Sequence, residues 1–234
     1  MIDVAVVIPV YNEDEIIQFV IDDWCACLSG LGLDFQIHCF NDGSRDNTSA
    51  VLAKAAAANP ARVFAIDKPN SGHGPTILLG YQTLAPKAKW IFQIDSDNEL
   101  GTAEFAALWQ AAQNKDYAAG YRAELQYPLP RKVVSAISLL TVQLLYGGGL
   151  KDVNCPYRLM RSAVFAPLFG KIPADTFAPN VLISGLVSMK KIRFAQVPVR
   201  HTSRQTGEVS IAKMKLLKVA IKSFGQTIAF RGKA

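Results

Sequence analysis

A chain of 234 residues and 25.5 kDa fits one domain with at most a modest appendage and excludes a multi-domain machine. Half of its residues are apolar and 19% are charged, a balance that excludes intrinsic disorder. The net charge of +6 is unevenly spread: from Lys190 onward there are eleven Lys and Arg against the single acid Glu208, whereas the first 189 residues hold fourteen basic against eighteen acidic residues. An acidic body with a basic tail calls for an anionic partner, whether nucleic acid, lipid headgroups or a phosphorylated substrate.

The run Val4-Ala-Val-Val-Ile-Pro-Val10 is apolar and β-branched throughout, the pattern of a strand buried on both faces of a parallel sheet. It leads through Tyr11, Asn12 and Glu13 into Ile16, Ile17, Val20, Ile21 and Trp24 at helical spacing. The unit recurs. Phe35 to Phe40 predicts a second strand, followed by Asn41-Asp-Gly-Ser-Arg-Asp-Asn-Thr48 and an Ala-rich helix. Arg62 to Ile66 predicts a third strand, followed by Lys68-Pro-Asn-Ser-Gly-His-Gly-Pro75 and a helix over 76–84. Lys89 to Asp95 predicts a fourth, ending in acids. Strands alternating with helices across short polar loops predict a three-layer α/β fold with a mostly parallel sheet, and such sheets bind ligands outside the carboxyl ends of their strands.

Past Asp116 the pattern changes. Tyr117–Tyr121 reads as a short strand, residues 133–150 carry no charge, 152–160 and a variable stretch follow, and Arg193–Val199 reads as an edge strand. Segment 133–150 includes two Ser, a Thr, a Gln and three consecutive Gly, too polar for about 30 Å of hydrocarbon, so a buried or interfacial helix is expected. The tail from Ser210 to Phe230 places Ile211, Met214, Leu217, Ile221, Phe224 and Ile228 on one stripe beside Lys215, Lys218 and Lys222, a basic amphipathic helix. Cys25, Cys27, Cys39 and Cys155 show neither zinc nor disulfide spacing, and no signal peptide precedes the first strand. Both features predict a reducing, cytoplasmic setting.

Asp95-Ser96-Asp97, with Glu99 two residues further, puts three carboxylates within five residues at a strand end. Such a cluster repels itself unless a divalent cation such as Mg²⁺ or Mn²⁺ bridges it to substrate phosphates. The plain alternative is a solvated acidic turn. Asp42-Gly43 could accept from a nucleobase or ribose, or be an Asx turn whose helix is capped by Asp46 or Thr48. Asn70-x-Gly72-x-Gly74 permits close backbone approach to a sugar or nucleotide, or is simply a loop. His73 is not read as a catalytic base.

Taken in order, Val7-Ile-Pro-Val-Tyr-Asn-Glu13, Asn41 to Thr48, Asn70-x-Gly-x-Gly74 and Asp95-x-Asp97 resemble the inverting glycosyltransferases of family 2, with the GT-A fold. Asp152-Val-Asn-Cys-Pro-Tyr-Arg158, then Arg204, Gly207 and Ser210, resemble the branch of dolichol-phosphate mannosyltransferase and the polyprenyl-phosphate sugar transferases. The resemblance implies a catalytic domain over 1–209, with a nucleotide-sugar half to about 116 and an acceptor half over 117–209, and a basic tail over 210–234. It implies a nucleotide-sugar pocket of Pro9, Tyr11, Glu13, Asp42, Asn70, Gly72, Gly74, Asp95 and Ser96. It also implies metal ligands Asp95, Asp97 and Glu99, the last where Gln is usual. Arg122 and Arg131 would face the acceptor phosphate, Asp152 would orient sugar or nucleophile or act as a base, and Arg204 would close over the diphosphate, with Asp97, Asp152 and Arg204 the catalytic set. Pro156 stands where Gly is usual, and the loop from Arg122 to Arg131 is short.

The implied reaction moves a hexose from a nucleotide-diphosphate sugar to a polyprenyl phosphate at the cytoplasmic membrane face, with Mg²⁺ or Mn²⁺. Peripheral membrane contact is expected, with a membrane-protein partner or self-association as further options. A glycan or protein acceptor is the nearest alternative; a non-catalytic nucleotide-sugar- or nucleic-acid-binding module belongs to another class. Nucleic acid is not an expected partner, because the tail lacks interleaved stacking aromatics.

Overall fold

The apolar run at the amino end becomes β1 (Ile2–Val10), buried without interruption from Val4 to Val10. The computed structural model describes residues 1–123, 129–202 and 213–232, with side chains at all of these except 129–131 and 213–220. After β1 come α1 (Ile17–Gly30), β2 (Phe35–Asp42), α2 (Thr48–Ala58), β3 (Val63–Lys68), α3 (His73–Leu84) and β4 (Ala88–Gln93). They are followed by α4 (Phe105–Ala112), β5 (Tyr117–Arg122), α5 (Leu129–Tyr146), β6 (Arg158–Arg161), α6 (Ser162–Phe169), α7 (Pro179–Met189), β7 (Phe194–Val199) and α8 (Lys213–Arg231).

The strands form one sheet in the order β3-β2-β1-β4-β6-β5-β7. All neighbours run parallel except β6, which is antiparallel to both β4 and β5. Side chains alternate across it as the two-residue period of a strand requires. Val4, Val6 and Ile8 pack under α1, α2 and α4 with Trp24, Phe92, Phe105 and Tyr157. Ala5 and Val7 pack under α3, α5, α6 and α7 with Tyr81, Phe165, Phe169 and Ile183. Trp24 lies 5.0 Å from the Phe92 ring and 5.5 Å from Phe105, so truncating it to Ala would cost about 3–5 kcal/mol. The three-layer α/β architecture expected from the sequence is the one observed, and Phe194–Val199 is an edge strand.

The sequence reading missed β6, α6 and α7. β6 is four residues long, begins and ends in Arg, and shows no apolar run, yet it lies inside the sheet. Every residue of α7 from Pro179 to Val187 is buried, so the amphipathic period that marks a surface helix is absent.

The amphipathic stripes of α5 and α8 face outward. On α5, Val133, Ile137, Leu140 and Leu144 are exposed while Val142 and Tyr146 pack inward. On α8, Ile221, Phe224 and Ile228 are exposed. Ile211 lies outside the described residues, as do the side chains of Met214 and Leu217. The opposite side of α8 seals against the domain: Phe230 is buried, Tyr146 Oη donates to Thr227 O at 2.6 Å and Arg231 Nε to Leu145 O at 2.6 Å.

Candidate active site

The order of strands reverses between β1 and β4, and the carboxyl ends of β1, β2 and β4 open on a cleft of about 400 Å³. Its walls include Pro9, Tyr11 and Glu13 after β1, Asp42 at the end of β2, and Asn70, Gly72 and His73 before α3. Asp95, Ser96 and Asp97 after β4 complete that side. Of the residues expected in the nucleotide-sugar pocket, Gly74 alone is absent from these walls. A Cβ there would meet Phe177 O at 2.2 Å and Thr176 O at 2.3 Å, so this glycine lets α3 close against the segment before α7.

The loops are cross-braced through backbone donors. Asn12, at φ 55°, receives Arg45 N–H on its side-chain oxygen at 2.8 Å, and its own N–H donates to Ser44 Oγ at 3.0 Å. Glu13 N–H donates to Thr48 Oγ1 at 2.9 Å. Asp46 Oδ1 accepts Thr48 N–H at 3.0 Å just before α2, while the N-cap position falls to Asn47, without a side-chain cap bond, and not to Asp46 or Thr48. Asp42 is 4% exposed and accepts Ser71 N–H and Gly72 N–H, each at 2.8 Å, together with the Lys68 ammonium. Gly72 sits at φ 96°, a left-handed conformation open to glycine at little cost. Burial alone would raise the Asp42 pKa, but Lys68 and these amides outweigh it and hold the carboxyl below its ordinary value. Lys68, which also donates to Pro69 O at 2.8 Å and Ser71 Oγ at 2.7 Å, was missed by the sequence reading. A lysine leaving a strand into Pro-Asn was the available signal.

Asp95 and Asp97 come together as expected. Asp95 Oδ1 accepts from Gln93 Nε2 at 2.9 Å and lies 3.5 Å from His73 Nε2. Asp97 Oδ1 accepts Glu99 N–H at 3.2 Å. Glu99 departs from the expected third ligand position. Its Oε2 is 2.9 Å from the nearly buried His201 Nε2, and it is absent from the cleft walls. Among the described residues no three His, Cys, Asp or Glu side chains form a metal cage. Two carboxylate side chains suit a hard cation that takes its remaining ligands from phosphate and water, the usual arrangement for Mg²⁺ and its like. His201 and Thr202, also missed, tie the chain after β7 to this loop, with Thr202 N–H donating to Glu99 O at 3.0 Å. Arg204 lies outside the described residues, and the Arg131 side chain likewise.

Beyond β4 on the same rim, Arg122 ends β5 and grips Asp152 through Nε at 2.8 Å and a terminal nitrogen at 3.1 Å. Both side chains are largely buried. Burial opposes charge on Asp152, but the Arg122 guanidinium and Asn154 N–H prevail, and its carboxyl stays below the ordinary value. A carboxylate so held is a weak base and a firm anchor. Arg158, fully buried, donates to the carbonyls of Cys155 (2.6 Å) and Asn180 (3.0 Å) and so fixes the turn that follows Asp152.

The fold is shared with GT-A glycosyltransferases. The structure of glucosyl-3-phosphoglycerate synthase from Mycobacterium tuberculosis with phosphoglyceric acid superposes with a TM-score of 0.67 at 16% identity, over 100% of this chain and 81% of that one. The same enzyme with Mn²⁺, uridine diphosphate and phosphoglyceric acid gives 0.67 at 17% identity, over 100% and 80%. Residues 5–166 match Glycosyl transferase family 2, and the chain belongs to that family. It is similar to the undecaprenyl-phosphate 4-deoxy-4-formamido-L-arabinose transferase of Edwardsiella ictaluri, 27% identical over 98% of this chain and 73% of the relative. The enzyme of that name from Pseudomonas aeruginosa is 29% identical over 92% of this chain and 62% of the relative. The chain therefore spans roughly two thirds of these relatives, which are polyprenyl-phosphate sugar transferases.

Proposed function

We propose that this glycosyltransferase moves a sugar, with inversion, from a nucleoside-diphosphate donor to a polyprenyl phosphate at the cytoplasmic face of a membrane. The observation that carries the donor half is the convergence of Asp42, Gly72, Asp95 and Asp97 on one cleft at the reversal of strand order, where open α/β sheets bind nucleotides. Tyr11, Glu13 and Asp42 are assigned to the nucleoside, and Asn70, Gly72 and Ser96 to the sugar and diphosphate. Asp95 and Asp97 would hold Mg²⁺ or Mn²⁺ there, which supplies charge neutralisation for the departing diphosphate. Arg204 is assigned to the same leaving group.

Arg122, oriented by Asp152, is assigned to the acceptor phosphate together with Arg131, as charge-assisted bidentate partners. A phosphate monoester is already anionic at neutral pH, so Asp152 need not take a proton and acts by holding Arg122 and the turn beyond it. The undecaprenyl-phosphate transferases to which the chain is similar favour a lipid acceptor over a glycan or protein. No described helix is long and apolar enough to cross a membrane. The exposed apolar residues of α5 and α8, beside the basic residues of the tail, are assigned to peripheral contact with an anionic bilayer.

The test is transfer from a panel of radiolabelled nucleotide-sugars to undecaprenyl phosphate with Mn²⁺, followed by organic extraction. Label is expected in the organic phase. Label appearing only in a water-soluble glycan or protein product overturns the lipid acceptor.

A further inference from the structure

Three buried polar groups form a chain that ends on the half-buried Asp95. Gln93 and Tyr81 are 0% exposed and Asn180 is 3% exposed. Tyr81 Oη lies 2.8 Å from Asn180 Oδ1, Asn180 Nδ2 lies 2.9 Å from Gln93 Oε1, and Gln93 Nε2 lies 2.9 Å from Asp95 Oδ1. With Asp95 they come from four different places: the end of β4, the loop beyond it, α3 and the first turn of α7.

The orientation of both amides follows from the charge at one end. An ionised carboxylate only accepts, so Gln93 must present its NH₂ to Asp95. Its carbonyl oxygen then faces Asn180, which must present its own NH₂. The single hydrogen of the Tyr81 hydroxyl has two acceptors within reach, Asn180 Oδ1 at 2.8 Å and Gln93 Oε1 at 3.0 Å, and both depend on the amide orientation that Asp95 sets. Both polar contacts of Asp95 among the described residues fall on Oδ1, which leaves Oδ2 as the oxygen without a described partner. Donors aligned in one sense reinforce one another in a low-dielectric interior, and a partner behind a metal-binding carboxylate fixes the geometry in front of it.

We propose that Gln93 is a positioning residue for Asp95, and that Asn180 and Tyr81 act through it by setting which end of its amide faces the carboxylate. The inference rests on the reading of Asp95 as a cation-holding residue. The expected consequence is a weaker cation site when the amide is lost or released, with no change in the residues that meet the cation.

The experiment is titration of Mn²⁺, followed by the electron paramagnetic resonance of the free ion, in the presence of UDP, with GDP in its place if UDP gives no binding. Asp95→Asn should abolish binding. Gln93→Met should weaken it by about tenfold, and Tyr81→Phe by a smaller factor, about threefold. In the Gln93→Met background, Tyr81→Phe should have no further effect on Mn²⁺ affinity, because the hydroxyl reaches Asp95 only through the Gln93 amide 3.0 Å away. Tyr81→Phe deletes one oxygen from a ring stacked 4.9 Å from Phe169 and so keeps the test open if Gln93→Met does not fold. Failure of the wild-type protein to bind Mn²⁺ with either nucleotide, or full binding by Asp95→Asn, overturns the donor-site reading and this inference with it. Loss in Asp95→Asn with affinity unchanged in Gln93→Met, or additive losses in the double variant, overturns the inference alone. If Gln93→Met is unfolded, unchanged affinity in Tyr81→Phe does the same.

Discussion

At the carboxyl ends of β1, β2 and β4, polar and charged side chains are held by neighbouring donors: Asp42 by two amides and the Lys68 ammonium, Asp97 by the Glu99 amide, Asn12 by the Arg45 amide. On α5 and α8 the reverse holds. Leu144 is 76% exposed and Ile221 63%, with apolar surface in water and no polar ordering partner among the described residues. The rim invests hydrogen bonds in fixing charges before a ligand arrives, which is how a polar site avoids reorganising at each turnover. The helix face stores a hydrophobic driving force that only an apolar partner can release. One region should therefore respond to single substitutions in its chemistry, the other in its attachment.

The largest expected effect tests the rim. Asp97→Ala should lower kcat/KM for sugar transfer by at least about a hundredfold while leaving the melting temperature close to that of the wild type; full activity would remove Asp97 from the donor site. Next comes the boundary between the proposed donor and acceptor sides. Asp152→Ala strands the largely buried Arg122 guanidinium and should cost about 3 kcal/mol of stability in urea unfolding, whereas a solvated pair would cost under about 1 kcal/mol.

A pH titration separates the two regions further. Asp42 and Asp152 are held below their unfolded values, so the stability they add is complete above the unfolded pKa and is lost as pH falls through the folded one. Stability should thus be retained at neutral pH and decline in the acid range below about 4. The decline should be shallower in Asp42→Asn, followed by thermal melts across pH. The smallest effect on the fold is expected on the helix face. Leu144→Asp and Phe224→Asp should change stability by no more than about 0.5 kcal/mol, yet sharply reduce co-sedimentation with anionic phosphatidylglycerol vesicles. Undiminished co-sedimentation would break the contrast drawn between the two regions.

What could be read in advance follows the same division. β1 and β4 announce themselves because burial on both faces leaves mostly apolar residues in mid-strand, and the acids just past β4 stand out against that run. β6 does not, since its Arg158 is buried by virtue of carbonyls contributed from Val153, Cys155 and Asn180, partners that no local pattern reveals. Glu99 looked like a third ligand because its spacing from Asp97 is short; a histidine about a hundred residues away draws it aside. Gly74 read as a place for close backbone approach to a sugar or nucleotide, and the close approach the structure shows there is to two carbonyls before α7. Local chemistry was legible, and the partners brought by long-range folding were not.

The antiparallel placement of β6 has a consequence for how the chain tolerates length changes. Gln93 stands opposite Arg158 and Phe92 opposite Leu159, so the polar chain and the aromatic cluster occupy opposite faces of adjacent rungs. Deleting one residue between 152 and 157 would slide β6 by a step, turning a guanidinium toward Trp24 and Phe92 and a leucine toward Gln93. Insertions there should be rejected as firmly, whereas the exposed residues 173–175, past the buried Ile172, can lengthen without touching either face.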